Sequence, residues 1–261
     1  MKKQFKLLFM GLVAVSGSHA KDINVAGVEV KPSLEITSGV FYSQQTYHHP
    51  MQIKDVSWQE IYAKYGFDAE YALENSMLYG GLKGVSSATF GDGDAAYLTT
   101  GNEHRSSLEE WVIGWKNAKS EDATLNVSLG RQNVQIADGF MVAGDALNLG
   151  QGAADGSLDR GGAYYLAARR SFDLAAVVDY QLHPQLNSHW YYLESDNKAQ
   201  SEPTLFATDW RYQATKNSHL GLTYLKVLDL NDPYSSPQRE GLHNVAIRAQ
   251  TQLMPDLQFS A

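Results

Sequence analysis

Trp58-Gln59-Glu60-Ile61-Tyr62-Ala63-Lys64-Tyr65-Gly66-Phe67-Asp68-Ala69-Glu70-Tyr71 alternates with period two over its whole length. One parity holds Ile61, Ala63, Tyr65, Phe67, Ala69 and Tyr71, and the other holds Glu60, Tyr62, Lys64, Gly66, Asp68 and Glu70. Successive side chains of a strand point to opposite faces, so the segment has one apolar, aromatic wall and one charged wall. Strands of soluble sheets usually run about 5–6 residues. A strand tilted across a bilayer takes about 9–11 and alternates lipid-facing with lumen-facing side chains. The length of this run, and the aromatics near the ends of its apolar parity, point to a membrane-spanning barrel strand.

The pattern recurs on both sides. Towards the N-terminus, 34–47 sets Leu34, Ile36, Val40 and Tyr42 on one parity. Downstream, 77–88 opposes Leu78 and Leu82 to Tyr79 and Lys83, and 108–116 opposes Trp111, Ile113 and Trp115 to Glu110 and Lys116. Leu125, Val127 and Leu129 follow; 162–170 and 172–181 read as a hairpin turned near Ser171; 190–194 is short and aromatic. Phe206, Thr208, Trp210 and Tyr212 alternate with Asp209 and Arg211, Leu220, Leu222 and Tyr224 with Gly221 and Thr223, and Val245, Ile247 and Ala249 with Asn244, Arg248 and Gln250. A last run begins near Leu257. About 11 or 12 strands result, with no convincing amphipathic helix. Connections such as 116–122 and 216–218 are short, whereas 91–105, 133–160 and 228–241 are long and rich in Gly, Asp, Ser or Pro. Short turns on one side and long loops on the other are the habit of a transmembrane antiparallel up-and-down β-barrel.

The N-terminus gives the compartment. Lys2, Lys3 and Lys6 precede an apolar run from Leu7 to Val15, and Ser18-His19-Ala20 supplies small residues at a cleavage site. That run is too short to cross a bilayer as a helix. Residues 1–20 therefore read as a signal peptide and 21–261 as an outer-membrane barrel domain in a Gram-negative type of cell. The chain stops a few residues into its last strand without a terminal aromatic strand, so the domain reads as truncated at its C-terminus. There is no cysteine, which excludes a disulfide scaffold and thiolate metal sites. Removing residues 1–20 takes away three lysines and no acid, moving the formal charge from −8 to −11. Nucleic acid is excluded as a partner on that charge, since phosphate binding needs a basic surface.

Two segments carry a family likeness. Gly130-Arg131-Gln132 is followed by Asp138-Gly139-Phe140, and Arg160-Gly161-Gly162-Ala163-Tyr164-Tyr165-Leu166 leads to Ala168-Arg169-Arg170-Ser171-Phe172. Over about 55–185 the chain resembles the alginate-export family of outer-membrane porins. The resemblance implies an 18-stranded barrel, of which this chain supplies the N-terminal portion. It also implies a lumen carrying an anionic polysaccharide or another small solute between opposed basic and acidic side chains.

Parity nominates the lumen residues: Glu60, Lys64, Asp68, Glu110, Lys116, Asp209, Arg211 and Arg248 oppose apolar neighbours. An Arg or Lys turned to lipid at the midplane costs about 2–4 kcal/mol, so such charges belong in the lumen or at the interface. Arg forks a carboxylate through two parallel hydrogen bonds, which suits organic-acid recognition; mutual pairing that merely stiffens a wet interior is the plainer role. Arg131 shares the parity of Val127 and Leu129; a bulge at Gly130 would turn it inward, and without one it snorkels to the headgroups. Of the adjacent Arg169 and Arg170, one can face the lumen in a regular strand, and Arg169 is the candidate. The connection 133–160 exceeds the roughly 12–15 residues beyond which loops are usually functional or disordered; it is either a constriction folded inward or an extracellular flap.

Other chemistry is weakly signalled. Asp92 and Asp94 with Glu103 make an acidic loop without EF-hand spacing, and His48-His49 lacks a third ligand. Ser188-His189 and Ser218-His219 are sequence neighbours, which face opposite ways in a strand, and no G-x-S-x-G elbow occurs. The expected function is a porin for passive, charge-selective passage of hydrophilic solutes, anionic sugars among them. Its partners are outer-membrane lipid and a small hydrophilic or anionic carbohydrate solute, with no cofactor, metal or catalytic residue. An outer-membrane barrel hydrolase and a secreted soluble β-protein binding carbohydrate are the alternatives.

Overall fold

The computed structural model describes residues 10–19, 22–46, 54–95, 99, 101–118, 124–145, 161–197, 200–230, 239–254 and 257–260. Among the described residues, fifteen strands follow one another: β1 (Met10–His19), β2 (Ile23–Val25), β3 (Val28–Gln45), β4 (Lys54–Ala72), β5 (Met77–Gly91), β6 (His104–Lys116), β7 (Leu125–Gln132), β8 (Gln135–Ile136), β9 (Val142–Ala143), β10 (Phe172–His183), β11 (Leu186–Glu194), β12 (Pro203–Thr215), β13 (Ser218–Leu230), β14 (His243–Met254) and β15 (Leu257–Ser260). One antiparallel sheet takes them in the order β1-β3-β4-β5-β6-β7-β10-β11-β12-β13-β14-β15, with β2 paired to β3. Only β8 and β9 stand apart, as a small hairpin of their own. Each strand of the path lies beside its nearest path neighbour in sequence, which is the wall of an up-and-down β-barrel.

The central strands are long: β3 has 18 residues, β4 has 19 and β5 has 15. The opening segment lies inside β4, paired without a break in register to β3 on one side and β5 on the other. Connections also segregate by end. Among the described residues, 26–27, 73–76, 117–118, 124, 184–185 and 216–217 lie at one end, and 92–95, 101–103, 133–145, 161–171, 195–197, 200–202 and 239–242 flank strands at the other.

One sequence expectation changes. Segment 162–170 is no strand: β7 pairs directly with β10, and the described residues between them lie outside that sheet. Gly161 and Gly162 at φ +74°, Ala163 at +52° and Ala167 at +50° take left-handed backbone, three of them in succession, which breaks the extended conformation a strand needs. Met10–His19, inside the stretch read as a signal peptide, pairs with β3 from Ser33 to Tyr42.

The two faces of the wall differ sharply. One exposes Leu34, Ile36 and Val40 on β3, Ile61, Tyr65, Phe67 and Tyr71 on β4, and Leu78, Leu82 and Phe90 on β5. The same face continues through Trp111 and Ile113, Val127 and Leu129, Trp190 and Tyr192, and Leu220 and Leu222 to Val245 and Ile247. Ile113 is 61% exposed and Ile247 78%. A contiguous apolar surface of this extent has no counterpart on ordinary soluble monomers. The opposite face carries the charged parity, and against it fold the described parts of the 133–171 connection, 133–145 and 161–171.

Candidate solute passage

That connection covers the charged face in two described parts. The first is the β8–β9 hairpin. Val134, Ile136 and Val142 pack with Phe172 and Ala175 of β10, Tyr191 and Leu193 of β11, Leu205 and Ala207 of β12, and Leu225 and Val227 of β13. The loop-end half of this face is therefore apolar, because a piece of chain seals it from water. The second part is 161–171. Leu166 and Tyr165 pack on Phe41 and Trp58, whose rings stack at 5.2 Å, so this part reaches β3 and β4 from an origin beside β10.

Charged side chains hold the second part down. Glu60 is 1% exposed and accepts a hydrogen bond from the Leu166 N–H at 3.0 Å. Glu109 accepts from the N–H groups of Arg170 at 2.7 Å and Ser171 at 3.2 Å. Arg169 donates to the Ser107 hydroxyl at 3.2 Å and to the carbonyls of Gly161 at 3.4 Å and Arg105 at 3.3 Å. The Ser87 hydroxyl donates to the Gly161 carbonyl at 2.5 Å, and the Ala163 N–H to the Thr89 hydroxyl at 3.0 Å. Left-handed backbone leaves these N–H and C=O groups outside any ladder, and the strand side chains satisfy them instead.

Elsewhere the expected lumen residues pair with charged groups that the sequence reading did not nominate. Lys83 joins Asp68 at 3.0 Å and Glu110 at 3.2 Å, and Lys64 lies 3.9 Å from Glu109. Arg131 is 11% exposed and holds Asp173 at 2.6 Å and Asp196 at 3.0 Å. Gly130, at φ +139°, stays in register with Val112; a Cβ there would meet the Trp111 carbonyl at 2.1 Å. The register shift falls on β10, between Phe172 and Ala175.

Nearer the short turns the face becomes polar. Asn126, Asp179, His189, Asp209 and Thr223 are successive cross-strand partners from β7 to β13. The Tyr79 hydroxyl donates to Asn126 at 2.7 Å, the Asn126 amide donates to Asp179 at 3.0 Å, and His189 Nδ1 lies 2.6 Å from the same carboxylate. A carboxylate only accepts, so Nδ1 carries the proton and Nε2 faces away. Gly114 makes this row possible, since a Cβ there would meet the Tyr79 ring at 2.2 Å. Asp209 accepts from the Thr223 hydroxyl at 2.5 Å and from Arg248, whose guanidinium also lies 3.7 Å from Asp138 of the hairpin. Arg248 crosses β13 over Gly221, where a Cβ would meet the guanidinium at 2.7 Å.

Under the hairpin, this polar row borders a cavity of about 850 Å³. Arg211 lines it, is exposed, and makes no ion pair among the described residues. Lys116 pairs in register with Asn126 at the far side of the row.

Sequence reasoning missed several of these groups. Glu109 was hidden by a bulge: Lys83 faces Glu110 and Gly84 faces Leu108, so Glu109 is the extra residue and shares the charged face with Glu110. Asp179 lies inside the run 172–181 but carried no motif, and His189 falls one residue ahead of the run 190–194. The adjacent Ser–His pairs divide between faces. Ser188 Oγ donates to the Tyr180 carbonyl and Ser218 Oγ bonds Thr251, while His189 and His219 line the cavity. Asp92 accepts from the N–H and hydroxyl of Ser57 at 3.0 and 3.1 Å. His48, His49, Asp155, Asp159 and Arg160 lie outside the described residues.

No family model matches the chain, and no curated protein matches it. Among solved structures, it is similar to one described as the copper transporter OprC, at 10% sequence identity and a TM-score of 0.39, over 96% of this chain and 49% of that one. The chain thus spans about half the length of that protein's chain.

Proposed function

We propose that the chain is an outer-membrane β-barrel channel through which hydrophilic solutes pass by diffusion, filtered by charge. One observation carries the reading: the same wall exposes an apolar surface from β3 to β14 and presents paired charges and a folded-in connection on its other face. An apolar exterior suits lipid, and a polar interior narrowed by a loop suits a selective aqueous path. Residues 1–20 are a cleaved signal in this reading, and β1 leaves the β3 edge when they go. Anionic solutes are the favoured class, because Arg211 offers a cationic fork that no described acid neutralises. Acidic sugars of the kind the alginate-export resemblance implies fall within that class.

The test is conductance of the purified protein in planar bilayers, after confirming heat-modifiable gel mobility. Arg211→Ala should lower anion preference. Arg248→Ala should lower it further, because it also uncovers the Asp209 carboxylate. Unchanged ion preference in both variants would remove the basis for the charge filter, and absence of conductance would remove the channel.

A further inference from the structure

The cavity under the hairpin has two unlike walls. The hairpin contributes Ile136, Phe140 and Met141, and Phe140 is 88% exposed. The strands contribute Arg211, Arg248 and His219. Arg248 is engaged by Asp209 and Asp138. Arg211 is not so engaged among the described residues, and its cross-strand partners are Asn187 and Gly221, so no acidic side chain stands beside it in register. His219 Nδ1 is buried without a hydrogen-bond partner among the described residues. An unsatisfied buried nitrogen calls for a polar partner.

A phenyl ring left in water inside a polar passage stabilises nothing by itself. It gains only when another apolar surface covers it, at roughly 25 cal/mol per Å² buried. A fully hydroxylated sugar acid satisfies the arginine but offers the phenyl little apolar area. A neutral ring satisfies the phenyl and leaves the arginine hydrated. We propose that this cavity is a binding site for small aromatic carboxylates, with the carboxylate forked by Arg211 and the ring laid against Phe140 and Met141. The volume of about 850 Å³ lies within the range of small-molecule sites, roughly 300–1,000 Å³. The planar fork of Arg211 matches a carboxylate with two parallel hydrogen bonds. The proposal names the solute class of the passage described above and rests on that reading for its transport role.

Binding is measured by calorimetry on the detergent-folded chain with benzoate, glucuronate and benzyl alcohol. Benzoate should bind about tenfold or more tightly than either of the others, since each of them lacks one of the two contacts. Arg211→Ala and Phe140→Ala should each weaken benzoate about tenfold, and Arg211→Lys should recover only part of the loss. Phe140 is exposed on a hairpin tip, so its variant does not challenge folding. Equal affinity for benzoate and glucuronate, or benzoate binding indifferent to Phe140→Ala, overturns the proposal. Conductance separates the two readings. A charge-filtering channel without benzoate preference sinks this inference alone, and benzoate binding without conductance sinks the channel alone.

Discussion

Asp145 lies just past β9, outside the long strands, and is 3% exposed. Its N–H donates to the Arg170 carbonyl at 2.7 Å, and the Ser195 hydroxyl lies 2.9 and 2.8 Å from its two oxygens. One residue thus ties the two halves of the folded-in connection to the 195–202 loop. Burial pushes its carboxyl up from the usual 3.8 to about 7, and the Asp196 carboxylate adds to that, against Ser195 and Arg131, which favour the charged form. The native state then keeps a proton that the unfolded chain has lost between about pH 4 and 7. The resulting stability is complete below the unfolded value and is lost as pH rises through about 7. Asp145→Asn fixes the side chain in an uncharged form. Between pH 5 and 8 the unfolding midpoint of the parent should fall relative to that of Asp145→Asn. Parallel curves would show that Asp145 stays ionised when buried.

At the scale of an element, the 161–171 segment depends on Arg169 more than on any ladder, because its backbone makes no strand pairing. Arg169→Ala removes donors to Ser107, Gly161 and Arg105, and charged hydrogen bonds contribute about 1.5–3 kcal/mol each before losses overlap. The expected cost is about 2–3 kcal/mol of stability. Channel conductance should rise as the segment lifts from β4 and β6; lost stability with unchanged conductance would place the segment outside the solute path. This element also marks the limit of what the sequence could show. The parity of β4, β12 and β14 was readable because one side chain per residue reports one face, and so Glu60, Lys64, Asp68, Asp209, Arg211 and Arg248 could be assigned to one side. Glu109 was not, since a bulge against Lys83 leaves no residue-type signature. Nor was the apolar floor of Leu193, Ala207 and Val227. A lumen residue reads as polar only where water reaches it, and here the hairpin keeps water out. Residues 162–170 read as the first strand of a hairpin turned near Ser171. The Gly161-Gly162 pair at their start was the contrary signal, since glycine there permits left-handed turns.

For the whole molecule, the question is what solvent surrounds the apolar face. In water, that face would cost free energy in proportion to its area and drive association. Lipid removes the cost without any further protein. The two solvents make opposite demands on a single position. Leu222 is 46% exposed midway along β13, flanked in register by Trp210 and Ile247 of the same apolar surface. In a soluble sheet, Leu222→Arg at such an exposed site changes stability by no more than about 0.5 kcal/mol. On a lipid-facing strand near the bilayer midplane it costs about 2–4 kcal/mol, because the guanidinium must be drawn into hydrocarbon or pull water after it. Denaturant titration of folding into phospholipid vesicles measures the difference directly. A loss of about 2–4 kcal/mol for Leu222→Arg, beside a near-neutral Lys216→Arg at the short-turn end, places the apolar face in the bilayer. If both substitutions are neutral, the surface meets water, and the secreted soluble reading takes the place of the channel.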